Sequence, residues 1–192
     1  MQKSETQVLA APSRAIEWGT QAVIVISASL FVAVCARFTA VLAPTPVPLT
    51  LQNFGVLLVG MLLGRKRGLA ALALYLAEGA AGLPVFNPLM GPSGLAQIFG
   101  LTGGYLMAYP FVAWIAGYVV ERGQKTFLRA LTAAFLAEIV LFTGGLSWLY
   151  VYTHSLARAA QFGLYWFVLA EILKITSAAG IVAGWRRFSG KQ

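Results

Sequence analysis

Charge is scarce in this chain. Only 10% of its residues are charged, and six of those are acidic, whereas an ordinary soluble domain is about a quarter charged. A globule of 192 residues still leaves much of its surface in water, so a 59% hydrophobic composition cannot be hidden in one core. Lipid is the alternative solvent for that surface. Cysteine is limited to Cys35 and histidine to His154, which excludes an intrachain disulfide framework and a metal constellation. Nothing orients the lone imidazole towards the thiol as a base. The Gly-Pro-Ser-Gly segment at 91–94 is followed by no lysine, so it opens no phosphate loop. Residues Met1 to Glu17 carry Lys3, Glu5, Arg14 and Glu17 and no apolar core, and the reading is that no cleavable signal peptide stands there. The net charge is +8, but the basic residues sit in short clusters between apolar runs. A nucleic-acid partner is therefore excluded.

What is present is a series of apolar runs. A helix needs ~20 apolar residues to cross ~30 Å of hydrocarbon. The runs extend over about Trp18–Ala43, Leu49–Leu63, Gly68–Gly82, Ile98–Val120, Phe127–Tyr152 and Phe162–Trp185. They predict an all-α integral membrane protein, a bundle of six transmembrane helices. Its expected organisation is a cytoplasmic segment 1–17, one membrane domain 18–187 and a cytoplasmic tail 188–192. The second run is short for a span and is expected to be tilted or irregular. Alternate prolines at 44, 46 and 48 favour an extended loop. Residues 83–98 hold no Lys, Arg, Asp or Glu, so this loop is able to dip into the bundle, where protein satisfies its backbone.

The basic residues orient the bundle. With the N-terminus inside, the cytoplasmic set is Lys3, Arg14, Arg65, Lys66, Arg67, Arg122, Lys125, Arg129, Arg186, Arg187 and Lys191, and the opposite side holds Arg158. Both termini are then expected in the cytoplasm, with outer loops near 44–49, 83–97 and 153–161. Arg37 falls near the outer end of the first helix, where its long side chain snorkels to the interface. Trp148, Tyr150, Tyr152, Tyr165 and Trp166 gather at the outer side, as a membrane belt or as ligand-stacking groups. GxxxG pairs at Gly60/Gly64, Gly100/Gly104 and Gly180/Gly184 mark close helix packing. A small-residue stripe on the first helix faces either a neighbouring helix or another subunit.

Charges at membrane depth cost about 2.5–3.5 kcal/mol unless they find partners. Glu171 and Lys174 lie three apart, on one face of the last helix, and read either as a neutralised structural ion pair or as a polar binding site; the expense of a midplane pair favours the site. Glu78 and Glu138 reach similar depth and either pair with Lys174, carry a proton, or form a relay. A membrane enzyme using Glu78 and Glu138 as acid and base is the competing reading, and a purely structural subunit is the third. The amides of Gln52, Asn53, Asn87 and Gln97, with Thr50, cluster towards the outer ends and suit a neutral polar ligand.

Several segments carry a family resemblance: Pro-Val-Pro-Leu-Thr-Leu-Gln at 46–52, Leu-Gly-Arg-Lys-Arg-Gly at 63–68, Tyr75, Gly79, Gly-Leu-Pro-Val-Phe at 82–86, Gly-Leu-Thr-Gly-Gly-Tyr at 100–105, and Glu171 with Lys174. In these the sequence resembles the BioY family, the biotin-binding S components of energy-coupling factor (ECF) transporters. The family usually has Asp at the position of Glu171 and proline at that of Leu101. The resemblance implies a six-helix bundle in the bacterial cytoplasmic membrane that captures biotin from outside as a transported ligand, with no cofactor. It also implies a transmembrane T subunit and paired ATPases as partners, with a homo-oligomeric form left open. Its ligand-contacting positions fall on Asn87, Glu171 and Lys174. Biotin's ureido ring offers two N–H donors and an acceptor, so Glu171 is expected to accept from an N–H while Lys174 and Asn87 donate to ligand oxygens. Tyr75, Phe86 and Trp166 are expected to line the apolar remainder, with the 83–97 loop as a lid.

Overall fold

The structure is a computed structural model and describes residues 14–188. Most of the expected terminal segments 1–17 and 188–192, with Lys3 and Lys191, lie outside the described residues, as do the side chains of Arg14, Arg186 and Arg187. The chain forms eight α-helices among the described residues: α1 (Arg14–Cys35), α2 (Gln52–Leu63), α3 (Arg65–Ala80), α4 (Leu95–Ile98), α5 (Gly103–Glu121), α6 (Phe127–Thr153), α7 (Leu156–Ala160) and α8 (Val168–Phe188). Four of them, α1, α5, α6 and α8, are long and apolar enough to cross a membrane. Their outward faces carry large apolar side chains such as Val23, Phe111, Phe135, Ile139, Leu169 and Leu173. So extensive an apolar surface belongs in lipid rather than water.

The interior is built from small and branched residues: Val56, Leu57, Val112, Ala113, Ala116, Ala133, Ala137 and Val182 are all fully buried. With little to fill between them, backbones approach closely, which is how helices associate where lipid supplies no hydrophobic drive. A methyl group on Gly60 would lie within 3.0 Å of the Ala113 backbone, so α2 and α5 touch there. Gly104 on α5 meets the Gly144 carbonyl on α6 in the same way. The third expected pair behaves differently. Among the described residues, Gly180 and Gly184 have no neighbour within 4 Å of where a side chain would begin, so that motif makes no close contact there.

The second apolar run departs from its expected form. Leu49–Thr50 is a short strand, β2, paired antiparallel with β1 (Thr39–Ala40). The helix starts only at Gln52 and has 12 residues, or ~18 Å at 1.5 Å per residue. That is about half a span. It ends at Gly64, whose φ of +85° lies in the left-handed region open to glycine. The chain then enters α3 at once, so Arg65, Lys66 and Arg67 form its first turn instead of a loop. Glu121 on α5 accepts the Arg65 N–H at 2.9 Å and lies 3.4 Å from the Arg65 guanidinium. It places a negative charge at the positive end of α3.

The last run is also interrupted. Instead of one helix from Phe162, the chain forms α7, a π-helical turn over Gln161–Tyr165, and then α8. Backbone carbonyls in the π turn find side-chain donors elsewhere: the Thr45 hydroxyl donates to Phe162 O at 2.6 Å and the Tyr105 hydroxyl to Gly163 O at 2.8 Å. The outer aromatics divide between two roles. Trp148 donates to Gly100 O at 2.8 Å and Tyr152 to Phe99 O, which ties the turn between α4 and α5 to α6. Tyr150, Tyr165 and Trp166 are exposed, as belt residues are. Arg37 is exposed in the turn after α1.

Candidate functional site

The half-length α2 brings the polar groups together. Its first turn lies inside the bundle, and there the Asn53 Nδ2 donates to two carboxylates at once: Glu138 Oε1 on α6 at 2.5 Å and Glu171 Oε2 on α8 at 3.0 Å. Lys174 Nζ completes the group with a 2.7 Å ion pair to Glu171 Oε1. Asn53, Glu138, Glu171 and Lys174 are all at least nine-tenths buried. Glu138 sits near the middle of the 27-residue α6, so the cluster lies close to the bundle's mid-height. The amino-terminal end of α2 brings its partial positive charge up to the acidic pair. Two buried atoms in this cluster find no hydrogen-bond partner among the described residues, Asn53 Oδ1 and Glu138 Oε2. An unpaired buried acceptor costs about 1–3 kcal/mol.

Beside the cluster is a cavity. Its walls are Glu171, Lys174, Asn53, Gln52, Tyr109 and Phe167, with Tyr105, Leu106, Leu141 and Phe142 between the helices and Val47, Pro48, Phe86, Asn87, Met90 and Gln97 from the two loops. The space between the walls and out through the mouth is about 620 Å³. A mostly apolar hollow with a few converging polar groups is the usual form of a small-molecule site. A larger hollow lies between α6 and α8, walled by Phe135, Ile139, Tyr150, Ile172 and others. Those residues are exposed on the outer face of the bundle, so in a membrane acyl chains fill it. Glu138 and Glu171 also border it, which makes the acidic pair part of the wall separating lipid from the inner cavity.

The loop over the cavity is ordered by its own amides. Asn87 Oδ1 accepts from Leu89 N at 3.0 Å, and its Nδ2 donates to Thr39 Oγ1 at 3.1 Å. Gln97 Nε2 donates to Asn87 O at 2.9 Å and to Gly91 O at 2.6 Å. The Phe86 ring is buried over Gly79, where any side chain would collide with it. It meets Tyr75 edge-on at 5.3 Å. In this way Gly79 and the 82–86 segment form one packing unit beneath the loop.

Of the six residues expected to contact a ligand, four line this cavity: Asn87, Phe86, Glu171 and Lys174. Tyr75 does not. It is fully buried behind Phe86, donating its hydroxyl to Val85 O at 2.9 Å and accepting from Gln52 Nε2 at 2.7 Å, so it supports the wall. Trp166 does not either. It is 48% exposed and borders a surface hollow with Ala157, Gln161 and Tyr165. The π turn is the reason, because it shifts the helical phase and turns Phe167 inward in its place. The two carboxylates of the acid–base reading are held apart in their bonding. Glu78 accepts from Ser29 on α1, while Glu138 is bound to Asn53. Among the described residues no cluster of three or more metal-ligating side chains occurs.

Residues 6–191 match the BioY family profile. The chain belongs to the BioY family. Among its relatives, the probable biotin transporter BioY of Pyrococcus horikoshii is 38% identical over 133 residues, covering 69% of this chain and 76% of that protein. The biotin transporter BioY of Thermotoga maritima is 35% identical over 134 residues, or 70% and 78% of the two chains. The fold matches the crystal structure of the S component for biotin from an ECF-type ABC transporter. The TM-score is 0.79 at 23% identity, over 92% of this chain and 95% of the other. At that identity the likeness is one of fold. As a BioY-family member with several apolar helices, this chain is a multi-pass membrane protein of the transporter class.

Proposed function

We propose that this chain is the biotin-capturing S component of an ECF-type transporter. The observation that carries the reading is the ion pair Glu171–Lys174 at the edge of a half-enclosed cavity under the Asn87 loop. A buried pair of this kind is costly in a membrane, and here it faces a space in which a polar guest adds hydrogen bonds. Glu171 accepts a ureido N–H, Lys174 and Asn87 donate to ligand oxygens, and Phe86, Tyr105 and Phe167 pack the apolar rings and tail. The names of the relatives and the fold match support the same ligand. The positions of the arginines and lysines support both termini in the cytoplasm and a cavity open to the outside. In this topology the chain makes six crossings of the bacterial cytoplasmic membrane, the second completed by the extended segment before α2. Energy comes from a T subunit and ATPases docking on the inner side.

The test is equilibrium binding of biotin to the detergent-purified chain. Saturable binding is expected, with a loss of tenfold or more in Lys174→Ala, since a hydrogen bond to a charged group is worth about 1.5–3 kcal/mol. Folded wild-type protein that shows no saturable biotin binding refutes the proposal.

A further inference from the structure

We propose that Asn53 is a ligand-contacting residue whose Oδ1 accepts an N–H from the bound ligand, and that Glu138 is the positioning residue that aims it. The inference rests on the biotin reading and assigns two residues to it. Asn53 is 96% buried (4% exposed) and lines the cavity. Both hydrogen-bond acceptors beside its side chain are carboxylates, Glu138 at 2.5 Å and Glu171 at 3.0 Å. Only the NH₂ side of an amide can donate to them, so the orientation of the amide is fixed by two helices. Its oxygen is thereby turned away from the carboxylates and left without a partner among the described residues.

An acceptor in that position takes only a donor. Beside it, Glu171 is a second acceptor, already bonded by Lys174 and Asn53 but with lone pairs to spare. Two buried acceptors at this end of the cavity take N–H donors and reject a carboxylate there. The ureido ring offers two, pointing to either flank of its C=O, one for Asn53 and one for Glu171, with the C=O between them for Lys174. The ring then lies at the floor, and the acidic tail points to the loop of Asn87. Glu138 touches the ligand nowhere in this scheme. It acts through Asn53, from the wall between the cavity and the lipid-facing hollow.

The test compares biotin with its two mono-N-methylated ureido derivatives as ligands for the purified full chain. Wild type is expected to bind both derivatives about tenfold or more weakly than biotin, one having lost its bond to Asn53 and the other its bond to Glu171, the worth of a well-formed hydrogen bond and of the unpaired groups left by its loss. In Asn53→Ala the discrimination against one of the two falls to within about threefold. Glu138→Leu does the same, because the amide is no longer aimed, while Glu138→Gln retains most of it, since its carbonyl still accepts from Asn53 Nδ2. A merely structural role for either residue lowers the affinity for all three ligands by one factor and leaves their ratio unchanged; that result overturns the assignment. If Asn53→Ala does not fold, the contrast between Glu138→Leu and Glu138→Gln decides. Absence of biotin binding by the wild type overturns the biotin reading, and this assignment falls with it.

Discussion

Replacing Gly79 by alanine sets two known effects against each other. Alanine in a helix is favoured over glycine by up to about 1 kcal/mol, so on backbone grounds alone Gly79→Ala, in the last turn of α3, is neutral to mildly stabilising. Packing opposes it. The added methyl would stand closer than 3.0 Å to several atoms of the Phe86 ring, and that ring is fully buried and held edge-on against Tyr75. Adding a methyl to a filled interior costs typically about 1–3 kcal/mol. Here the clash is with a rigid aromatic ring backed by a second one, so the upper part of that range applies. The net expectation is a destabilisation of about 1–2 kcal/mol. The ring's escape is into the adjoining cavity, so biotin affinity should fall as well. The assay is thermal unfolding of the purified protein in detergent, with and without biotin, alongside equilibrium binding. The double variant Gly79→Ala/Phe86→Leu should recover part of the lost stability, because the smaller side chain makes room for the methyl. A Gly79→Ala protein that melts at or above the wild-type temperature and binds biotin unchanged refutes the packing argument.

Other expectations follow from the same geometry. Gly60→Ala should lower the melting temperature, its methyl meeting the Ala113 backbone, whereas Gly180→Ala, with open space around it, should be neutral or raise it by the helix-propensity gain of up to ~1 kcal/mol; equal effects in thermal unfolding would show that the two GxxxG motifs pack alike. Trp166→Ala should leave the biotin dissociation constant within about twofold of wild type, since a belt residue has no ligand to lose, and a tenfold weakening in a binding titration would place it at the site after all. Tyr75→Phe keeps the ring but strips the hydroxyl from Val85 O and Gln52. It should cost about 1–3 kcal/mol of stability, read as a lower melting temperature with bound biotin partly compensating.

The sequence by itself determined the solvent, the helical class and the charged residues that matter. Hydropathy and charge are summed along the chain, so α1, α5 and α6 were legible as apolar runs; the run over α6 matched it almost to the residue, while the first run overshot the end of α1 at Cys35 and the fourth began before α5 at Gly103, where turns and β1 are as apolar as the helices. The pairing of Glu171 with Lys174 was legible too, because i and i+3 share a helix face whatever the fold. Sequence reading misplaced what depends on helical phase. The run from Phe162 gives no sign of its π turn beyond Gly163, and that turn sends Trp166 outward and Phe167 inward. Leu49–Leu63 reads as one apolar run, yet only its last 12 residues are helix, since β-pairing with Thr39–Ala40 competes for its start. The amides of Gln52 and Asn53 were visible as polar residues, but their partners were not. Asn53 meets Glu138 and Glu171 across separations of 85 and 118 residues, and Tyr75 becomes a support because Phe86 packs in front of it. Such contacts are fixed only when helices choose their neighbours. That choice rests on small residues such as Gly60, Gly104 and Gly144, which let particular backbones meet, and so tertiary packing alone decided which polar groups converge on one cavity.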